Sequence, residues 1–179
     1  MCIRDRANLD RAGRVIYCGS FSKSLAPALR LGFAVVPPSL LAAFVRARVL
    51  TDRGPATLGQ AVLADFMAQG LLAPHIRRMR TAYAGRRGAL LAALAAHCPQ
   101  LRPLPAPGGL HMVGLLPEDA DEALICRAAA ARGLRIAPLG AYCVNPRPGR
   151  GLVFGFAATP AALGTDAARR LALAIGKQC

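Results

Sequence analysis

The stretch YCGSFSKSLAPALRLGF, residues 17–33, decides how this chain is read. It holds Lys23, and the only other lysine in the 179 residues is Lys177. Every other basic residue among the 23 is arginine. A chain that uses Arg almost everywhere keeps a Lys here, between two serines and seven residues before Arg30. Val15, Ile16 and Tyr17, followed by Gly19, predict a short buried strand. Ser20, Ser22, Lys23 and Arg30 then fall at the end of that strand and in the loop after it. A strand end is a good mount for side chains aimed into a crevice.

These four residues share a chemistry. An amine on a rigid mount forms an imine with an aldehyde once it is partly deprotonated, which burial and nearby positive charge favour. A guanidinium offers a planar fork of donors to a phosphate, and serine hydroxyls add short hydrogen bonds. Pyridoxal 5'-phosphate (PLP) is an aldehyde that carries a phosphate. Arginine cannot form a Schiff base, so this position needs the lysine.

Outward from this stretch, the pattern alternates strands and helices. LRLGFAVVPP predicts a second strand ended by Pro37 and Pro38. PSLLAAFVRARVL predicts a helix, TDRGPAT a break, and LGQAVLADFMAQG a helix stopped by Gly70. Residues 74–98 carry apolar residues at helical spacing, with Pro74 at a first-turn position. Strands are expected near Leu101, over 110–116, at LRIAP and at LVFGFAA. Asp119 is the expected N-cap of the helix that includes Glu122, at capping-box spacing. Thr159 and Pro160 are expected to open a closing helix. The fold class is α/β, with a small α+β second half.

Composition narrows the function classes. Hydrophobic residues make up 54% and charged residues 18%, which suits a protein with a real core. Charges or prolines interrupt every apolar run before membrane-helix length, and the charged N-terminus MCIRDRANLDRAGR has no leader pattern. A cytoplasmic location, with no membrane partner, is expected. Six cysteines form no C-x-x-C pair and have no metal-ligand spacing to a histidine, so they read as reduced thiols with no metal role. The formal charge of +14 is compatible with nucleic-acid binding. The arginines are spread along helices with few aromatics between them, and a solvated basic surface explains them more simply. RRMR and GRRG are read in that way.

SFSKSLAPALRLG resembles the lysine motif of class I/II aminotransferases of fold type I. Residues 13–175 are more narrowly similar to the C-terminal part of the aminotransferase-like domain of MocR-type regulators, a branch of the GntR family. The supporting stretches are RRMRTAYAGRRGALLAAL, GGLHMVGLLP and GLVFGFAATP, in the expected order. The resemblance implies that Lys23 bonds the cofactor and acts as general base in a working aminotransferase. It also implies that Arg30 pairs with the phosphate and Ser20 hydrogen-bonds it, with Ser22 a further phosphate candidate. Residues 1–12 read as a truncated or non-native start. Residues 13–72 read as the end of the large PLP-binding domain, and 73–179 as an interdomain helix and small C-terminal domain.

Two departures from the family pattern matter. The acid that faces the pyridine nitrogen lies upstream of the lysine motif in this family, and Asp5 and Asp10 are too close to the lysine strand to serve. This chain alone is therefore expected to be inactive. The family's substrate-carboxylate Arg falls, by register, on Val153. Arg150 and Tyr142 are the remaining substrate candidates. The expected ligands are PLP and an amine or amino acid. The complete protein is expected to be a homodimer, touching DNA only through an N-terminal domain outside this sequence. A true aminotransferase and a basic nucleic-acid-binding module are the competing readings.

Overall fold

The computed structural model describes residues 9–52, 54, 56–106, 108–144 and 149–176. The first eight residues of the expected N-terminal stretch lie outside this set, as do residues 145–148 of the expected VNPRPGRG loop. The chain divides into two compact units, Met1–Arg78 and Met79–Cys179.

The first unit opens with an antiparallel hairpin. Strand β1 (Tyr17–Ser20) pairs with β2 (Gly32–Val35), with Tyr17 opposite Val35 and Ser20 opposite Gly32. The 11 residues between the strands carry the lysine motif. Gly32 is required by the pairing: a Cβ there would lie 2.8 Å from the Gly19 carbonyl oxygen. Phe33 lies against Tyr17 and Phe21, with ring centroids 5.7 and 5.6 Å apart. Helix α1 (Pro38–Asp52) begins at the expected proline, and α2 (Thr57–Ala68) is followed by Gly70 in the left-handed region at φ 72°. Helix α3 (Leu72–His97) starts two residues before Pro74, and the division between the units falls inside it.

The expectation of a buried β1 is not met. Pro37 is the one buried residue among the described residues of this unit, and β1 alternates between half-buried and exposed positions. Leu41, Phe44 and Val45 of α1 are exposed as well.

The second unit has its own core. Four antiparallel strands run in the order β3-β4-β6-β5: β3 (Arg102–Pro103), β4 (His111–Leu115), β5 (Ala137–Pro138) and β6 (Gly151–Gly155). Met112 pairs with Phe154 and Gly114 with Leu152, so period-two alternation sends these side chains to one face. Leu94 and Cys98 at the end of α3, Ile125 of α4 (Glu122–Ala130) and Leu171 and Ile175 of α5 (Gly164–Ile175) complete that core. Each fully buried Leu, Ile or Met contributes about 1.5–3 kcal/mol. Gly114 leaves room for Leu101, whose side chain lies 2.7 Å from where a Cβ would stand.

Three local expectations are corrected. The N-cap of α4 is Asp121, not Asp119: its Oδ1 accepts the Leu124 N–H at 2.9 Å. Glu122 makes no capping box, because its carboxylate is turned inward to other amides. Thr159 caps nothing: a 3₁₀ turn over Ala161–Leu163, preceded by Pro160, leads into α5. The GRRG segment is more than a solvated face, since Arg86 donates to the Ala157 carbonyl and stacks near the Tyr83 ring.

Candidate functional site

The hairpin brings Ser20, Ser22, Lys23 and Arg30 into one short segment, at the end of β1 and in the loop before β2. The loop is built by backbone hydrogen bonds. The Phe21 carbonyl accepts from Ser24 N at 3.2 Å and Leu25 N at 2.8 Å, and Phe21 N donates to Leu31 O at 3.0 Å. Lys23 rides on this closed turn with its side chain exposed. The Ser24 carbonyl is held in turn by His75 Nε2 at 3.0 Å, and the His75 ring meets Phe66 edge-on. The lysine mount is therefore tied to α2 and to the first turn of α3.

Ser20 Oγ accepts the Ser22 N–H at 3.2 Å, which leaves its hydroxyl hydrogen available to donate. Arg30 follows a 3₁₀ turn over Pro27–Leu29 and sits at φ 49°, ψ 32°. It is the one non-glycine residue with positive φ among the described residues. Such a conformation costs about 1–3 kcal/mol and clusters at ligand-holding sites. Neither Lys23 nor Arg30 has an ion pair among the described residues. Asp10, upstream of β1, is engaged by its own loop. Asp10 accepts from Val15 N at 2.7 Å and Ala12 N at 3.2 Å, and the Val15 amide foremost holds its carboxyl below the usual range. Two unneutralised cations and two hydroxyls on one loop fit an anionic group such as a phosphate. The residues present therefore fit the lysine-and-phosphate side of a PLP site.

Tyr142 and Arg150 belong to the second unit, and both are exposed. Val153 lies at the middle of β6, opposite Val113 and Ala137, on the sheet face turned away from Leu152 and Phe154. His111 of β4 is exposed, with its ring over Gly155. No trio of His, Cys, Asp or Glu among the described residues is placed to hold a metal. No described helix is long and apolar enough to cross a membrane. Sequence reasoning missed Glu122, which the spacing placed in a capping box and the structure buries to 5% exposure.

A family model described as aminotransferase class I and II matches residues 1–163. The chain belongs to that family. Among curated relatives, it is 37% identical over 150 residues to the probable rhizopine catabolism regulatory protein MocR of Rhizobium meliloti, covering 83% of this chain and 30% of that one. It is 34% identical over 134 residues to aromatic-amino-acid aminotransferase 1 of Thermococcus litoralis, covering 74% and 32%. The multiple substrate aminotransferase of Thermococcus profundus superposes with TM-score 0.83 at 32% identity, covering 94% of this chain and 42% of that one. The α-aminoadipate aminotransferase LysN of Thermus thermophilus, solved with N-(5'-phosphopyridoxyl)-L-leucine, gives 0.82 at 28%, covering 91% and 42%. This aminotransferase-family chain thus spans about a third of the curated relatives it matches. It corresponds to the C-terminal part of a fold-type I aminotransferase-like domain, of the kind found in both regulators and aminotransferases.

Proposed function

We propose that the complete protein binds PLP through Lys23 and serves as the effector-sensing domain of a MocR-type transcription regulator. The observation that carries the reading is the single hairpin loop that presents Lys23, Arg30, Ser20 and Ser22 together, neither cation having an ion pair among the described residues. Arg30 and the Ser20 hydroxyl hold the phosphate, and Ser22 adds a further donor. PLP, when bound, supplies an aldehyde for amines and an electron sink for the carbon beside the nitrogen. Lys23 would be the residue that bonds the group, and its nitrogen would hold or return a proton beside the ligand. Residues 13–72 close the large PLP-binding domain, and residues 73–179 form the interdomain helix and small domain. The complete protein is a homodimer and contacts DNA through a separate N-terminal module. The similarity to MocR supports the regulator reading, as does Val153 where a carboxylate-binding Arg is expected.

The test is the absorbance of the complete protein after PLP is added. A new near-visible band is expected in the wild type and no such band in Lys23→Ala. A band that persists in Lys23→Ala overturns the reading.

A second reading, a true aminotransferase, is favoured by the 34% identity to the Thermococcus litoralis enzyme. Steady-state transamination with a panel of amino acids and 2-oxo acids separates the two. Catalytic turnover supports the enzyme, and binding without turnover supports the sensor.

A further inference from the structure

The two sides of the lysine loop are supported differently. On the phosphate side, Ser20 sits in the β1–β2 ladder opposite Gly32, and Arg30 closes a 3₁₀ turn by donating its N–H to Pro27 O at 3.3 Å. On the lysine side, Phe21 O accepts from Ser24 N at 3.2 Å, Leu25 N at 2.8 Å and the Ser24 hydroxyl at 3.4 Å. These bonds shape the turn but run between near neighbours. His75 ties it to a distant element: Nε2 lies 3.0 Å from Ser24 O, across 51 residues of sequence. Local structure places the ring there. Gly70, at φ 72°, follows α2, and Leu71 N returns to Phe66 O at 3.2 Å, which closes the end of that helix. The corner sets the Phe66 ring edge-on to His75, with centroids 6.3 Å apart. Arg78, three residues on along the same face of α3, has Nη2 3.3 Å from His75 Nδ1. Arginine is always a donor, so Nδ1 accepts and the ring hydrogen sits on Nε2, aimed at Ser24 O. Lys23, Ser24, Phe66, His75 and Arg78 all lie in the first compact unit.

We propose that His75 is a positioning residue for Lys23: by holding the Ser24 carbonyl it sets the lysine amine to meet the aldehyde carbon of PLP, while the phosphate side of the loop stands without it. This rests on the reading of the protein as a PLP domain. Bonding joins the lysine nitrogen to the aldehyde carbon, and the aldehyde oxygen leaves as water with the two amine hydrogens. A turn that swings away weakens that step and leaves the contacts of Arg30 and Ser20 in place. Phenylalanine at position 75 keeps a ring beside Phe66 but offers no donor. Glutamine carries an amide nitrogen at about the reach of Nε2 and restores the donor.

The experiment uses the complete protein as wild type, His75→Phe and His75→Gln, with PLP and pyridoxine 5'-phosphate as probes. The second probe carries an alcohol in place of the aldehyde, so it meets the phosphate contacts and cannot bond the lysine. Hydrogen exchange at the Ser24 and Leu25 amides of the unliganded protein reports the turn itself. In His75→Phe the expected result is faster exchange at these amides and PLP binding weakened about fivefold, the weight of one hydrogen bond, with pyridoxine 5'-phosphate unchanged. His75→Gln is expected to bind both probes as the wild type does. Equal weakening of both probes in His75→Phe shows general damage and overturns the proposal. So does unchanged PLP binding, unchanged exchange, or a His75→Gln variant no better than His75→Phe. If His75→Phe does not fold, His75→Ala, which only removes atoms, takes its place with the same expectations. A wild type without a lysine-dependent band overturns the PLP reading and this proposal with it. A wild type with the band, and no split between the probes in the variant, overturns this proposal alone.

Discussion

His75 Nε2 lies 3.0 Å from the carbonyl oxygen of Ser24, the residue after Lys23. With the hydrogen on Nε2, the ring donates to that carbonyl and its Nδ1 accepts from Arg78 Nη2 at 3.3 Å. One imidazole therefore ties the lysine turn to the start of α3. His75→Ala removes this anchor and the edge contact with Phe66. The expected cost is about 0.5–1.5 kcal/mol, with PLP affinity of the complete protein reduced several-fold. Calorimetry and a PLP titration check both; unchanged PLP affinity would show that the turn holds its shape without the ring.

Arg30 combines a strained backbone with a candidate phosphate contact. Arg30→Gly relieves the left-handed conformation at φ 49° and is expected to stabilise the fold by about 1 kcal/mol. The same change deletes the guanidinium, so PLP binding should weaken by an order of magnitude or more. Denaturant melts beside a PLP titration give the result. A variant that loses stability as well would show that Arg30 serves the fold alone.

Gly151 is closed in first by backbone, with the Leu139 and Leu115 side chains just beyond. A Cβ there would stand 2.7 Å from the Gly114 carbonyl oxygen, across the β4–β6 ladder. Gly151→Ala is expected to cost about 1–3 kcal/mol and to part the strands where Glu122 grips. Gly88→Ala is the control, because nothing lies within 4 Å of a Cβ at that helical position. The comparison is read from the two midpoints in urea.

Asp121 caps α4, and the Leu124 amide foremost lowers its carboxyl below the ordinary 3.8. A depressed folded value means its contribution is present above the unfolded pKa and is lost as pH falls through the folded one. Asp121→Asn keeps a capping oxygen without the titration. The stability gap between wild type and Asp121→Asn should therefore narrow as pH drops below about 4, and thermal melts from pH 7 to pH 3 measure it.

Cys98 is fully buried, and burial pushes its thiol up to about 11. Its Sγ lies 3.3 Å from the Ala168 carbonyl oxygen. In the native protein at pH 8 an alkylating reagent should modify exposed Cys18 and spare Cys98. A raised folded value also means that the contribution of this thiol is complete below the ordinary 9.0 and declines as pH rises toward 11. Peptide mapping after a timed reaction decides it; equal labelling of both cysteines would refute the burial argument.

The lysine loop was legible because its chemistry is local. Four residues within an 11-residue span carry it, and a hairpin closes any such span on itself. The helices were legible from period and from Pro38 and Gly70, which act within a turn of where they stand. Burial of β1 was misread because apolar residues record a preference for cover, and whether a covering layer exists is decided elsewhere in the chain. Asp119 and Asp121 are two residues apart and equally good caps in the abstract, so only the packed position of Ile125 selected one of them.

The sequence by itself determined the element order, the residue types grouped around Lys23, and the absence of an Arg at Val153. Each depends on residue type and short spacing. The tertiary structure alone decided the role of Glu122. Its two partners, Gly140 and Gly151, lie 18 and 29 residues away and offer only backbone amides, which every non-proline residue carries. No spacing rule marks such a contact. It exists because β6 folds back beside the start of α4 and leaves a buried carboxylate with two donors in reach.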